Sequence, residues 1–149
     1  YNIKSLSEAL NLKAQILNKN DVINEDKEII IINTFGVLQN FFKYAKSVFI
    51  GKSMIKKFQS VGGQNPIEAA KLGCKIFHGP YVYNFQEVYE LLCSYGITEK
   101  INNEIQLSEE LIKNFKSQIT IDQKKIDLIN NYGEKILKET MIEIGAYLK

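Results

Sequence analysis

The sequence predicts an α/β domain in which helices sandwich a parallel sheet. Three observations predict it. Short β-branched runs recur without polar alternation, the pattern of strands covered on both faces. Segments of helical periodicity lie between them. The glycines, prolines and amides gather where strand leads into helix, and folds of this class bind ligands at the carboxyl ends of their strands.

The elements follow in order. Leu6, Ala9, Leu10, Leu12 and Leu17 are spaced as one helix over Ser5–Leu17. Asn18–Lys27 is polar and turn-like. Glu28–Ile32 reads as a buried strand, and Thr34–Gly36 as a turn. A helix is expected over Val37–Ala45, a second buried strand over Ser47–Ile50, and a loop over Gly51–Gln64. Asn65–Leu72 reads as a helix closed by Gly73. Lys75–Phe77 is a third strand, stopped by His78-Gly79-Pro80. Asn84–Ser94 is a helix ended by Gly96, and Ile97–Ile101 a fourth strand. Glu109 and Glu110 suit the first turn of a helix over Ser108–Ser117. Ile126, Ile129, Ile136, Met141, Ile144 and Leu148 share one face of a long helix over about 121–148. That face is apolar enough to predict self-association, or packing against a further domain.

The 149 residues fit a single domain spanning 1–149, and a start at Tyr1 rather than Met predicts a piece of a longer protein. Net charge is +2, all 19 basic residues are lysines, and they are scattered. A nucleic-acid surface wants a concentrated basic stripe, so none is expected. Without arginine, a bound phosphate must rely on backbone N–H groups, amides or lysine. No apolar run is long enough to span a bilayer, and no signal peptide is expected. Cys74 and Cys93 read as buried thiols of a reducing compartment, with neither metal nor disulfide spacing. His78 is the single histidine, so no metal site is expected.

The densest special chemistry lies in the stretch VGGQNPIEAAKLG, residues 61–73. Asn65 suits an N-cap, Pro66 the first helical position, and Glu68 the third. Asn-x-x-Glu is then a variant capping box in which Glu68 reaches back to the Asn65 amide. The same spacing at Asn84 and Glu87 reads as plain capping. At the first copy two features favour a ligand. Gly62-Gly63 lets backbone approach a bound molecule closely, and a helix start offers unpaired N–H groups to an anion. Phosphate on those groups and ribose hydroxyls on Glu68 make a coherent nucleotide site. Neither G-x-G-x-x-G nor a P-loop is present, and Gly51-Lys52-Ser53 reads as a chance match. Tyr81-Val82-Tyr83 reads as half-buried packing, and Lys52, Lys56 and Lys57 as a solvated loop.

The segment Gly62-Gly63-Gln64-Asn65-Pro66-Ile67-Glu68-Ala69-Ala70, with Leu72-Gly73 and then Phe77-x-Gly79-Pro80-x-x-x-Asn84-Phe85, resembles 3-deoxy-D-manno-octulosonic acid (Kdo) transferases. Asn33-Thr34-Phe35-Gly36-Val37-Leu38 looks like the D-T-x-G-E-L segment of that family, and Gly51-x-Ser53 falls at its G-G-S. Order and spacing agree over about residues 28–95. The departures are Asn33 for Asp, Val37 for Glu, Gln64 for His, His78 for Phe and Lys52 for Gly. At position 37 only the backbone N–H is left to contact a ligand.

The resemblance implies a Rossmann-like domain, the C-terminal, donor-binding half of a GT-B glycosyltransferase, with the N-terminal acceptor domain absent. It implies CMP-Kdo as donor and CMP contacts at Phe35, Gly36, Val37, Asn65, Pro66, Ile67 and Glu68. Further donor contacts are expected at Ser53, Gly62, Gly63, Gln64 and Asn84. No catalytic residue is expected in this chain, because the base belongs to the other half, and no metal or other cofactor is implied. The acceptor is a lipid A precursor held by the other domain. The full-length protein is expected at the cytoplasmic face of the bacterial inner membrane, with this piece soluble but inactive alone. Two other readings stand beside this one: the donor domain of a GT-B enzyme that uses a UDP-sugar, and a non-catalytic α/β interaction module. Preference for cytosine over uracil separates the first from the Kdo reading, and nucleotide binding separates the second.

Overall fold

The computed structural model describes Ser5, residues 8–117 and residues 122–148. The chain divides into two compact units, Tyr1–Leu38 and Gln39–Lys149.

In the first unit, β1 (Ala14–Leu17) pairs in parallel with β2 (Ile29–Ile32), with Ala14 opposite Ile29 and Leu17 opposite Ile32. Here the structure corrects the helix expected over Ser5–Leu17. Among the described residues helical backbone occurs there at Ser5, Glu8 and Ala9 only, and Leu6 lies outside the described residues. The chain turns at Asn11, which adopts a φ of 50°. The all-isoleucine β2 needs a ladder partner for its backbone groups, and Ala14–Leu17 supplies it. The Gln15 side chain then organises the connection, donating to the Val22 carbonyl at 2.8 Å and accepting from the Asn24 N–H at 3.0 Å. β2 is half-buried throughout rather than covered on both faces.

The second unit holds a three-stranded parallel sheet in the order β3 (Ser47–Ile50), β4 (Lys75–His78), β5 (Thr98–Lys100). Helices flank it, as the sequence predicts for this class. α1 (Leu38–Phe42) precedes β3, α2 (Ile67–Lys71) precedes β4, and α3 (Gln86–Ser94) precedes β5. The core is Ile50, Ala69, Ala70, Cys74, Ile76, Val82, Tyr89, Leu92, Ile97 and Ile129. Both predicted glycine stops occur in left-handed backbone, Gly73 at φ 80° and Gly96 at φ 66°. Each closes its helix with paired bonds, Gly73 N–H to Ala70 and Cys74 N–H to Ala69, then Gly96 N–H to Cys93 and Ile97 N–H to Leu92. β4 runs one residue further than expected, taking His78 into the strand.

α4 (Glu104–Lys116) starts four residues before Ser108, because a better cap lies upstream. The Asn103 side chain accepts from the Gln106 N–H at 2.9 Å, and Gln106 reaches back to the Asn102 N–H at 3.0 Å. Its far end is tied to the sheet: Lys46 donates to the Phe115 and Ser117 carbonyls at 2.8 Å, and Ser47 donates to Asn114 at 2.7 Å. α5 (Gln123–Tyr147) packs on α2, and of its apolar positions only Ile129 is buried. Ile136, Met141, Ile144 and Leu148 are exposed, and Ile121 lies outside the described residues. No described helix is long and apolar enough to cross a membrane. Cys74 is buried as expected, but Cys93, in the last turn of α3, is exposed.

Candidate functional site

The helix start at residues 65–68 lies in the second unit, at the end of the loop that follows β3. The helix starts two residues later than expected, at Ile67 with Pro66 in the N-cap position, and the Asn65 side chain accepts from the Ile67 N–H at 3.0 Å in a short asparagine turn ahead of it. Pro66 is fully buried beneath it, with α-region backbone. The first main-chain helical bond runs from the Ala70 N–H to the Pro66 carbonyl at 3.0 Å. No partner for the Glu68 and Ala69 N–H groups occurs among the described residues. Ala69 is buried in the core and Glu68 is exposed, so the Glu68 N–H is the donor the segment can present. With only five residues in α2, local N–H groups count for more than any macrodipole.

The expected capping box does not form. Glu68 is exposed, and its Oε1 accepts from the Gln39 side chain at 3.1 Å instead of from Asn65. Gln39 is therefore a positioning residue that sequence reading misses. It sits 29 residues away in α1, and no local pattern marks it. One carboxylate oxygen is steadied, and the other has no partner among the described residues.

Gly62 and Gly63 are buried, and a different demand explains them. A Cβ on Gly62 would lie 2.5 Å from the Tyr81 carbonyl oxygen and 2.8 Å from that of Phe58. A Cβ on Gly63, at φ 86°, would lie 3.0 Å from the Val82 Cα. The close approach that needs glycine is to the chain's own backbone. Ser53 is likewise fully buried: its hydroxyl donates to the Ile50 carbonyl and accepts from the Gly79 N–H at 2.8 Å. That pins the carboxyl end of β3 to the carboxyl end of β4 and leaves Ser53 nothing to offer a donor sugar. Gln64 is exposed, and its carbonyl accepts from the Tyr89 hydroxyl at 2.8 Å. Tyr89 is a second supporting residue with no signal in the sequence. Asn84 is exposed and donates to the Val61 carbonyl at 3.3 Å, so the capping box with Glu87 does not form either. α3 is instead led in by a 3-10 turn over Tyr83–Phe85.

Phe35, Gly36 and Val37 belong to the first unit. Phe35 is 100% exposed, Gly36 turns the chain at φ 78° with open space around it, and Val37 is half-buried. Lys52 holds left-handed backbone at φ 56° and lies over the Phe58 ring.

His78 ends β4 opposite Ile50 and Lys100 in the two ladders. Its Nδ1 lies 2.8 Å from the Gly79 carbonyl, which accepts, so Nδ1 carries the proton. Burial holds its pKa below the ordinary 6.5, with the Gly79 bond opposing and nearby Lys100 reinforcing the shift. The unfolded chain therefore takes up this proton at a pH where the folded chain still resists it. Stability is expected to decline as pH falls below 6.5 toward the depressed folded value, with no His78 contribution above that window. Urea unfolding of the wild type and His78→Gln across mildly acidic pH checks this. The slope should be weaker in the variant, and equal slopes would assign it to other groups.

No family model matches the chain. It is 25% identical over 115 residues to 3-deoxy-D-manno-octulosonic acid transferase of Aquifex aeolicus, covering 76% of this chain and 31% of that protein. It is 22% identical over 142 residues to the Haemophilus influenzae protein of the same name, covering 89% of this chain and 31% of the relative. The chain thus spans about a third of the length of the curated relatives it matches. Among solved structures, its fold is similar to the C-terminal CMP-Kdo binding domain of WaaA from Acinetobacter baumannii. The TM-score is 0.72 at 16% identity, over 85% of this chain and 65% of that one. The chain therefore resembles Kdo transferases in sequence and the C-terminal domain of one in fold.

Proposed function

We propose that this chain is the donor-binding domain of a Kdo transferase and holds CMP-Kdo through its CMP half. The observation that carries the reading is that a chain similar in sequence to these transferases has the fold of a CMP-Kdo binding domain. On this reading the phosphate meets the helix start at Asn65–Glu68, where the Glu68 N–H is unpaired among the described residues, and the ribose diol meets the Glu68 carboxylate. The resemblance also assigns Phe35, Gly36 and Val37 to the nucleotide, Val37 through its backbone N–H. Ser53, Gly62 and Gly63 are buried in the chain's own packing, so on this reading they support the site rather than touch the donor through side chains.

The reaction is an inverting displacement. A carboxylate outside this chain takes the proton of an acceptor hydroxyl on a lipid A precursor. The oxygen attacks the anomeric carbon of Kdo, the bond to phosphate breaks, and CMP leaves with the bonding pair. Charge grows on the phosphate as that bond breaks, so donors already aimed at it stabilise the transition state most. The leaving group is a monophosphate, and the reading assigns no metal to it. The enzyme works at the cytoplasmic face of the inner membrane, where its lipid acceptor lies.

Amide NMR spectra recorded during titration with CMP, and separately with UMP, test the proposal. CMP should shift the amides of Asn65–Glu68 and those of Gly36–Val37, and UMP should shift them much less. If neither nucleotide moves those amides at millimolar concentration, the nucleotide reading fails. Equal movement with both would favour a uridine-linked donor.

A further inference from the structure

The turn that leads into α2 is held from behind by one buried side chain. Tyr89, in α3, is only 2% exposed, and its ring packs on that of His78 with 4.5 Å between ring centres. A phenylalanine would fill the same space. The hydroxyl adds something that packing does not require: it donates to the Gln64 carbonyl at 2.8 Å. Burial holds its pKa above the ordinary tyrosine value, so it keeps its proton and stays a donor.

A trans peptide is planar, and its C=O and N–H point opposite ways. Holding the Gln64 carbonyl on Tyr89 therefore also sets the Asn65 N–H, which shares that plane and points away from α3. Asn65 is exposed, and its N–H has no partner among the described residues. The preceding residues are held too, since Gly62 and Gly63 lie against the backbone of Tyr81 and Val82. Tyr83, the last residue of Tyr81-Val82-Tyr83, is 70% exposed rather than the half-buried packing expected of it, and takes no part. The Gln64–Asn65 plane thus turns over only if the Tyr89 bond breaks.

We propose that Tyr89 is a positioning residue for the nucleotide: its hydroxyl aims the Asn65 N–H at the nucleotide's phosphate. The inference rests on the nucleotide reading and adds to it which main-chain donor faces the phosphate and what holds that donor there. Tyr89 touches no ligand itself. With the plane turned over, the Gln64 carbonyl oxygen would face the phosphate, and two negative poles would meet. A donor oriented before the ligand arrives also loses less freedom on binding.

Titration with CMP and with cytidine, which lacks the phosphate, tests this by amide NMR. In the wild type, CMP should move the Asn65 amide and cytidine should move it much less. Tyr89→Phe keeps the ring on His78 and removes one neutral hydrogen bond. With folding confirmed by amide dispersion, it should bind CMP about 2- to 10-fold more weakly and cytidine within about twofold of the wild type. A general loosening of the core would weaken both ligands alike. Three results overturn the inference and leave the nucleotide reading standing: an Asn65 amide that stays in place while Glu68 moves, a Tyr89→Phe chain that binds CMP as the wild type does, or equal losses for CMP and cytidine. If the wild type binds neither ligand, the nucleotide reading fails and this inference falls with it. Should Tyr89→Phe not fold, the two ligands compared at Asn65 in the wild type decide.

Discussion

Glu68→Ala should weaken CMP binding by roughly 10- to 100-fold while leaving the unliganded chain nearly as stable as before. The first half follows from the bonds a carboxylate makes to hydroxyls. A hydrogen bond to a charged group is worth about 1.5–3 kcal/mol, and each 1.4 kcal/mol is about tenfold in affinity. The second half follows from where Glu68 points. It is exposed, and its partner is the exposed Gln39 side chain, not the Asn65 amide. Losing a capping-box glutamate would lower stability, with cap losses of about 0.5–2 kcal/mol. A surface side chain outside such a motif costs within about 0.5 kcal/mol. Urea unfolding and a CMP titration of the same variant therefore separate the two roles. Lost affinity at unchanged stability assigns Glu68 to the ligand. Lost stability at unchanged affinity returns it to capping and sinks the ribose assignment. Gln39→Ala should fall between, about 2- to 10-fold weaker, since it removes one neutral bond that orients the carboxylate.

What the sequence made legible was what depends on near neighbours. The β-branched runs at Ile29–Ile32 and Ser47–Ile50 are strands, and Gly73 and Gly96 end helices in the left-handed backbone that glycine tolerates. β1 was not legible. Its leucine spacing favours a helix locally, and only its pairing with a strand 15 residues away makes Ala14–Leu17 extended. The α5 stripe was legible as a period but not as burial, since only Ile129 finds a neighbour that covers it. At the candidate site, Asn65 and Pro66 could be read as a helix start because capping is local. The partners that decide what each side chain does were out of reach. Gln39 for Glu68, Tyr89 for Gln64 and Gly79 for Ser53 are all brought in by the sheet from 25 or more residues away. A glycine pair beside a helix start looks the same whether it faces a ligand or the chain's own carbonyls.

That last ambiguity has a direct test in Gly62→Ala. The added Cβ would sit 2.5 Å from the Tyr81 oxygen and 2.8 Å from the Phe58 oxygen, and both are main-chain atoms that cannot rotate away. Overpacking of this kind costs about 1–3 kcal/mol or more. At about 2–4 °C per kcal/mol for a chain of this size, the melting temperature should drop by roughly 2–12 °C without any nucleotide present. Gly51→Ala is the matched control. It lies in the same loop, with nothing within 4 Å of the added methyl and no left-handed backbone, so it should be neutral or slightly stabilising. Thermal unfolding of both variants, with and without CMP, reads the difference. If Gly62→Ala melts like the wild type and loses only CMP affinity, the glycine serves the ligand, and the backbone packing between Gly62 and Tyr81 is not what selects it. If it melts early with and without CMP, and keeps CMP binding below its transition, the glycine pair is there to let the loop before α2 lie flat on Tyr81–Val82. The nucleotide would then rest on the Asn65–Glu68 turn that this packing holds in place.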